Sequence, residues 1–137
     1  MPKATTSRRS PLIFFIDRSC GRTIFPEALR AMGLDVLSHE EIFAPNELDV
    51  RILEQCGRRG WVYVSKDLSV RRNPAELHAL NDARIHAVFL HGRRRPAEYL
   101  IENFRAGLGR IISRLEHATT PVHLVVTAGG RITIVKS

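Results

Sequence analysis

The sequence is poor in cysteine, in metal-binding spacings and in long apolar runs. Its two cysteines, Cys20 and Cys56, belong to no CxxC pair and no Cys/His cluster with zinc spacing. That excludes a zinc finger and a disulfide-stapled scaffold. Cys56 falls on the apolar face of an expected helix and Cys20 follows an apolar strand, so both read as core. The six histidines show no HxxxH or HxH spacing. No apolar stretch approaches the ~18–20 residues that span a bilayer. The N-terminal MPKATTSRRS is basic, and only LIFFI follows before Asp17, too short for the apolar core of a secretory signal. Residues 1–10 are expected to be a flexible basic tail, residues 11–137 a single domain, and the location cytoplasmic. No internal repeat is present, and AGGR at 128–131 is a turn, since no GxxxxGK follows a strand. The one tryptophan, Trp61, opens an apolar strand and is expected to pack in the core instead of stacking on a base.

What is present is basic charge, unevenly distributed. The chain of 137 residues carries 21 Lys and Arg against 14 Asp and Glu, a formal net charge of +7. Seven of the acids lie in residues 11–50 with three basic residues, whereas residues 91–137 hold eight basic residues and three acids. A basic surface favours a polyanion such as nucleic acid. An acidic pocket on that surface repels phosphate unless a cation lies between.

Strand-like and helix-like segments alternate. LIFFID is a short β-rich run, FPEALRAMG has helical spacing with Gly33 as its stop, LDVLS is a second strand, and HEEIFAPNE reads as a loop. LDVRILEQCG places Leu48, Ile52, Leu53 and Cys56 on one helical face. WVYVS is a third strand, and Asn73 and Pro74 open the next helix as N-cap and first-turn residue. IHAVFL is a fourth strand. Pro96 opens a long helix with Gly107 and Gly109 in its middle, and PVHLVVTAGGRITIVKS reads as a hairpin turning at Ala128-Gly129-Gly130. The order βαβαβαβα followed by a strand pair predicts an α/β fold with a mainly parallel sheet and a C-terminal β-hairpin.

Ligands bind such sheets at the carboxyl ends of the strands. Asp17 and Asp67 both end apolar strands, Glu40 and Glu41 follow the end of the second, and Asp49 begins the following helix. Each has an ordinary structural explanation: a turn cap for Asp17 and Asp67, a favourable charge in a helix first turn for Asp49, a solvated loop for Glu40 and Glu41. Together they match the oxygen donors that Mg²⁺ or Mn²⁺ prefers. Such ions activate water and neutralise charge developing on phosphorus. Lys66, Arg71 and Arg72 flank Asp67 as candidate contacts to a nucleic-acid backbone. Arg93, Arg94 and Arg95 precede the long helix, where cations gain nothing from its dipole, and would widen a phosphate track or meet an acidic partner.

The run FFIDRS … ALRAMGLDVLSHEEIF … LDVRILEQCGRRGWVYVSKD … RRNPAELHAL resembles the PIN-like domains grouped with VapC-type toxins, over about residues 12–90. Its most specific part is the SKD strand and its spacing from Asp49. The resemblance implies a three-layer α/β/α fold and a Mg²⁺- or Mn²⁺-dependent endoribonuclease, commonly the toxin of a toxin–antitoxin pair, with RNA as substrate, a cognate antitoxin as partner, and room for a homodimer. Carried over, Asp17, Asp49 and Asp67 match the family's acids as catalytic and metal-binding residues. The acid after the second strand is Glu40 or Glu41. Ser19 sits where the family often has a hydroxyl or amide near the first acid, and Glu76 is a further candidate ligand. The chain departs from better-known members in lacking their C-terminal acidic arrangement.

Two other functions compete. An aspartyl phosphatase or phospho-acceptor domain would use Asp17, but Ser19 stands where an Asp-x-Asp motif needs its second acid, and Asp17 has no adjacent acid. A catalytically silent PIN-like RNA-binding or regulatory module would keep the basic surface without the metal chemistry.

Overall fold

The structure, a computed structural model, describes residues 12–135. The expected basic tail lies outside the described residues. Six strands form one sheet: β1 (Ile13–Ile16), β2 (Asp35–Ser38), β3 (Val62–Ser65), β4 (Ala87–Leu90), β5 (His123–Val126) and β6 (Ile132–Val135). Their spatial order is β2-β1-β3-β4-β5-β6. The first four pairings are parallel and β5–β6 is antiparallel. The expected mainly parallel α/β sheet and C-terminal hairpin are therefore present.

Five helices cover the sheet: α1 (Ile24–Ala31), α2 (His39–Ile42), α3 (Asp49–Arg59), α4 (Pro74–Ala83) and α5 (Ala97–His117). The apolar residues fall into two cores, one on each face. Phe25 and Leu29 of α1 and Leu100, Phe104, Ile111 and Leu115 of α5 pack on Phe14, Ile16, Val64, Val88 and Leu90. Ile52, Leu53 and Cys56 of α3 and Leu80 of α4 pack on Phe15, Tyr63, Ala87 and Phe89. Adjacent strand residues such as Phe14 and Phe15 face opposite layers, which is why the central strands read as continuous apolar runs. Both cysteines are buried and free, and burial pushes each thiol up to about 12.

Two elements differ from the sequence expectation. HEEI, read as loop, is the single-turn helix α2. Glu41 closes a capping box in which its Oε1 accepts the Ser38 backbone N–H at 2.9 Å. Gly107 and Gly109 do not interrupt α5. A side chain at Gly107 would lie 2.7 Å from the carbonyl oxygen of Gly130, so the glycine admits the β5–β6 turn against the helix.

Candidate active site

The strand order places a crevice between β1 and β3. After β1 the chain leaves toward α1 on one face, and after β3 it leaves toward α4 on the other. Loops that part at such a switch point open the usual ligand site of a parallel sheet. Asp17 and Asp67 stand at its mouth, one and two residues past their strand ends and each capping a short 3-10 turn. Asp17 Oδ2 accepts the Ser19 N–H at 3.1 Å and the Ser65 hydroxyl at 3.3 Å. Asp67 Oδ1 accepts the Ser69 N–H at 3.0 Å and the Ser69 hydroxyl at 2.6 Å. The capping role foreseen for both acids is real, and it occupies one oxygen of each. Among the described residues no hydrogen bond reaches Asp17 Oδ1 or Asp67 Oδ2.

Two serines tie the strand ends together. The Ser19 and Ser65 hydroxyls are 3.2 Å apart. Ser65 Oγ also accepts the Asp67 N–H at 3.0 Å, and Ser19 Oγ accepts the Lys66 N–H at 3.3 Å. Ser65 is fully buried and was not singled out in the sequence. The signal was a serine ending the strand VYVS next to Lys66-Asp67.

The other two acids come from helix starts. Asp49 is the first residue of α3 and Glu76 the third of α4, two helices packed side by side. The α4 start is fixed by Asn73, whose Oδ1 accepts the Ala75 and Glu76 N–H groups at 3.0 and 3.1 Å. Burial, then the charges of Asp49, Asp67 and Asp17, raise the Glu76 carboxyl above its ordinary range. One residue thus registers all three acids that the family resemblance matches directly. Ion pairs between described residues hold Glu27, Glu40, Glu41, Glu47 and Glu102, and among the described residues none holds Asp17, Asp49, Asp67 or Glu76. Asp17 is 8% exposed, so its charge is both buried and without a cationic partner.

The remaining candidates are otherwise engaged. Glu40 pairs with Arg22 at 3.3 Å. Glu41 pairs with Arg30 at 3.0 Å, and the Ser38 N–H and then Arg30 hold its carboxyl below the usual range. Each glutamate must leave its own arginine to join the crevice. Arg71 turns away, with its guanidinium 2.8 Å from His123 Nδ1 on β5. Lys66 lies half-buried at the β3 end and Arg72 is exposed beyond it.

As donors, these carboxylates are hard oxygens suited to Mg²⁺ or Mn²⁺. Among the described residues no three His, Cys, Asp or Glu side chains are gathered closely enough to hold one ion as they stand. Mg²⁺ commonly keeps several waters and takes one or two carboxylates plus substrate phosphate, so the donor set fits without a closed protein cage. Also among the described residues, no helix is long and apolar enough to cross a membrane.

Neither a curated protein nor a solved structure matches the chain. A family model described as a PIN-like domain matches residues 12–92, a stretch that holds β1 through β4 and all four crevice acids. PIN-like domains are a nuclease-type fold that typically works with divalent metals on nucleic acid, and this chain, by a match over more than half its length, belongs to the PIN-like domain family.

Proposed function

We propose that the chain is a divalent-metal-dependent endoribonuclease, with Asp17, Asp49, Asp67 and Glu76 as its acids. The observation that carries this reading is that the fold brings Asp49, Asp67 and Asp17 near enough to Glu76 at the β1/β3 switch point for each to raise its carboxyl, with none of the four in an ion pair among the described residues, in a chain of net charge +7. Such a set is unfavourable unless a cation completes it. Glu76 takes the place that the sequence offered to Glu40 or Glu41, because those two are engaged with Arg22 and Arg30.

Bound there, Mg²⁺ or Mn²⁺ supplies activation of a water and neutralisation of charge developing at phosphorus. Asp17 and Asp67 each keep one carboxylate oxygen free of hydrogen bonds among the described residues and would hold the ion or its waters with it. Asp49 and Glu76 lie close enough on their neighbouring helices for the Asp49 charge to raise the Glu76 carboxyl. Ser19 and Ser65 fix the spacing of the two strand ends. Lys66 and Arg72 face the phosphate backbone. A toxin role with a cognate antitoxin follows from the likeness to VapC-type proteins and is part of the same proposal.

A metal-free RNA-binding module is the second reading, favoured by the absence of a closed three-ligand group among the described residues. Mn²⁺ calorimetry separates the two. Wild type is expected to bind Mn²⁺ and to cleave single-stranded RNA, and Asp17→Asn with Asp67→Asn is expected to lose both. Cleavage that persists in this variant or in EDTA removes the metal site. RNA binding without Mn²⁺ binding or cleavage establishes the second reading.

A further inference from the structure

The family match ends at residue 92, and a further set of arginines with no ion pair among the described residues, Arg93, Arg94, Arg95, Arg110, Arg114 and Arg131, lies beyond it. A cleft of about 440 Å³ opens between the middle of α5 and the start of β6, lined by Gly109, Arg110, Ser113, Arg114, Arg131 and Ile132. It contains three arginines and a hydroxyl, and no acid. Three guanidinium groups around one cleft repel one another, and what offsets that repulsion is an anion with several acceptor oxygens.

The cleft is rigidly built. Arg110 donates to the Gly130 carbonyl at 2.8 Å, which fixes its guanidinium and leaves further N–H groups to donate. The Gly129 N–H donates to Asn103 Oδ1 at 3.0 Å. Gly107 and Gly130 pack backbone to backbone, since a side chain on Gly130 would lie 2.4 Å from the Gly107 nitrogen. Arg131 is thereby held against α5. Arg114 and Arg131 are exposed and form no ion pair among the described residues, and the neighbouring acid Glu102 is taken by Arg105 at 2.9 Å.

Position supplies the connection. Arg131 precedes β6 at the carboxyl end of β5, the same sheet edge that carries Asp17 and Asp67. At ~4.8 Å per strand, the β6 start lies roughly 14 Å from the β3 end, a span of a few nucleotides. Between them, after β4, stand the exposed Arg93 and Arg94; Arg95 is stacked over Tyr99 at 4.6 Å.

We propose that the cleft lined by Arg110, Ser113, Arg114 and Arg131 is a second anchoring site for the phosphate backbone of the nucleic acid strand that enters the acid crevice, with Arg93 and Arg94 along the path. This rests on the ribonuclease reading for the identity of the polyanion. An acidic protein would also meet arginines, but only a strand that continues from the crevice explains why they share its edge.

The test is anisotropy of a labelled single-stranded RNA on the full chain carrying Asp17→Asn, in EDTA, across a salt series. Adding Arg114→Gln and Arg131→Gln is expected to lower affinity about tenfold and to reduce the log K against log salt slope by about 1.4, two contacts at ~0.7 each. Arg58→Gln with Arg59→Gln, on the distant end of α3, removes the same charge and is expected to change both much less. An unchanged slope and affinity in the cleft variant, equal losses in the α3 control, or preference for polyglutamate over RNA overturns the proposal. Mn²⁺-dependent cleavage by the wild-type chain is read separately. Cleavage with unaltered binding in the cleft variant removes the cleft alone. Cleft-dependent binding without cleavage removes the nuclease reading and keeps the cleft.

Discussion

Glu76 is the residue at which the site's electrostatics become visible. Its carboxyl is raised first by burial, then by Asp49, Asp67 and Asp17. A carboxyl whose folded pKa lies above its unfolded value of about 4.5 costs the native state nothing below that pH. The native state loses stability relative to the unfolded chain as pH rises through the raised value. Glu76→Gln removes that loss while keeping the side chain's shape. In metal-free buffer at neutral pH the variant is therefore expected to melt higher than wild type by roughly 2–4 °C, with the two curves converging below pH 4.5. Scanning calorimetry against pH measures this. A wild type that is more stable at neutral pH would mean that Glu76 has a cationic partner and that the acids do not repel. Most of this was hidden in the sequence. Asp17 and Asp67 were legible because a charge that ends an apolar run is locally odd. Glu76 was not distinctive, because its meeting with Asp49 depends on two helices packing side by side. Arg71 looked like a phosphate contact beside Asp67, and only the fold shows that it reaches His123, far along the chain.

At the scale of elements, the sheet and its crossovers were readable from the alternation of apolar runs with helical spacing, and the hairpin from Ala128-Gly129-Gly130. The short helix α2 was missed although its signal was present: Ser38 followed three residues later by Glu41 is a capping-box pattern, but four residues are too few for apolar periodicity to register. The two glycines in α5 were readable as a weakness and are instead a docking point. Gly107→Ala would place a methyl group 2.7 Å from the Gly130 carbonyl oxygen, a backbone atom that cannot swing aside. The expected result is a loss of about 1–3 kcal/mol, against the gain of up to ~1 kcal/mol that Gly→Ala gives in an unobstructed helix. Gly109→Ala meets nothing within 4 Å and serves as the opposite case, expected to be neutral or stabilising. Urea unfolding of the two variants decides it; equal behaviour would show that the turn is not clamped to the helix.

For the whole molecule, the question is whether the matched segment, residues 12–92, is also the unit that folds. It contains four strands, both sides of the crevice and the acids, so by chemistry it is complete. By packing it is not. Leu100, Phe104, Ile111 and Leu115 of α5 are all buried, and with Phe25 and Leu29 of α1 they cover Phe14, Val88 and Leu90 on one face of the sheet. Phe104 also meets Phe14 and Phe25 edge to face, with ring centroids at 6.3 and 6.0 Å. Four large side chains at ~1.5–3 kcal/mol each contribute roughly 6–12 kcal/mol of apolar burial, before counting the sheet residues they cover. A domain of this size has a net stability of only about 5–15 kcal/mol. Removal of residues 93–137 is therefore expected to abolish cooperative unfolding and near-ultraviolet dichroism, even though every crevice acid remains. The C-terminal helix and hairpin then serve two ends at once: they close the core that holds Asp17 and Asp67 in place, and they carry the arginine cleft along the same edge. A fragment of residues 12–92 that melts cooperatively with native-like dichroism would separate these roles and leave the C-terminal region as an added binding layer alone.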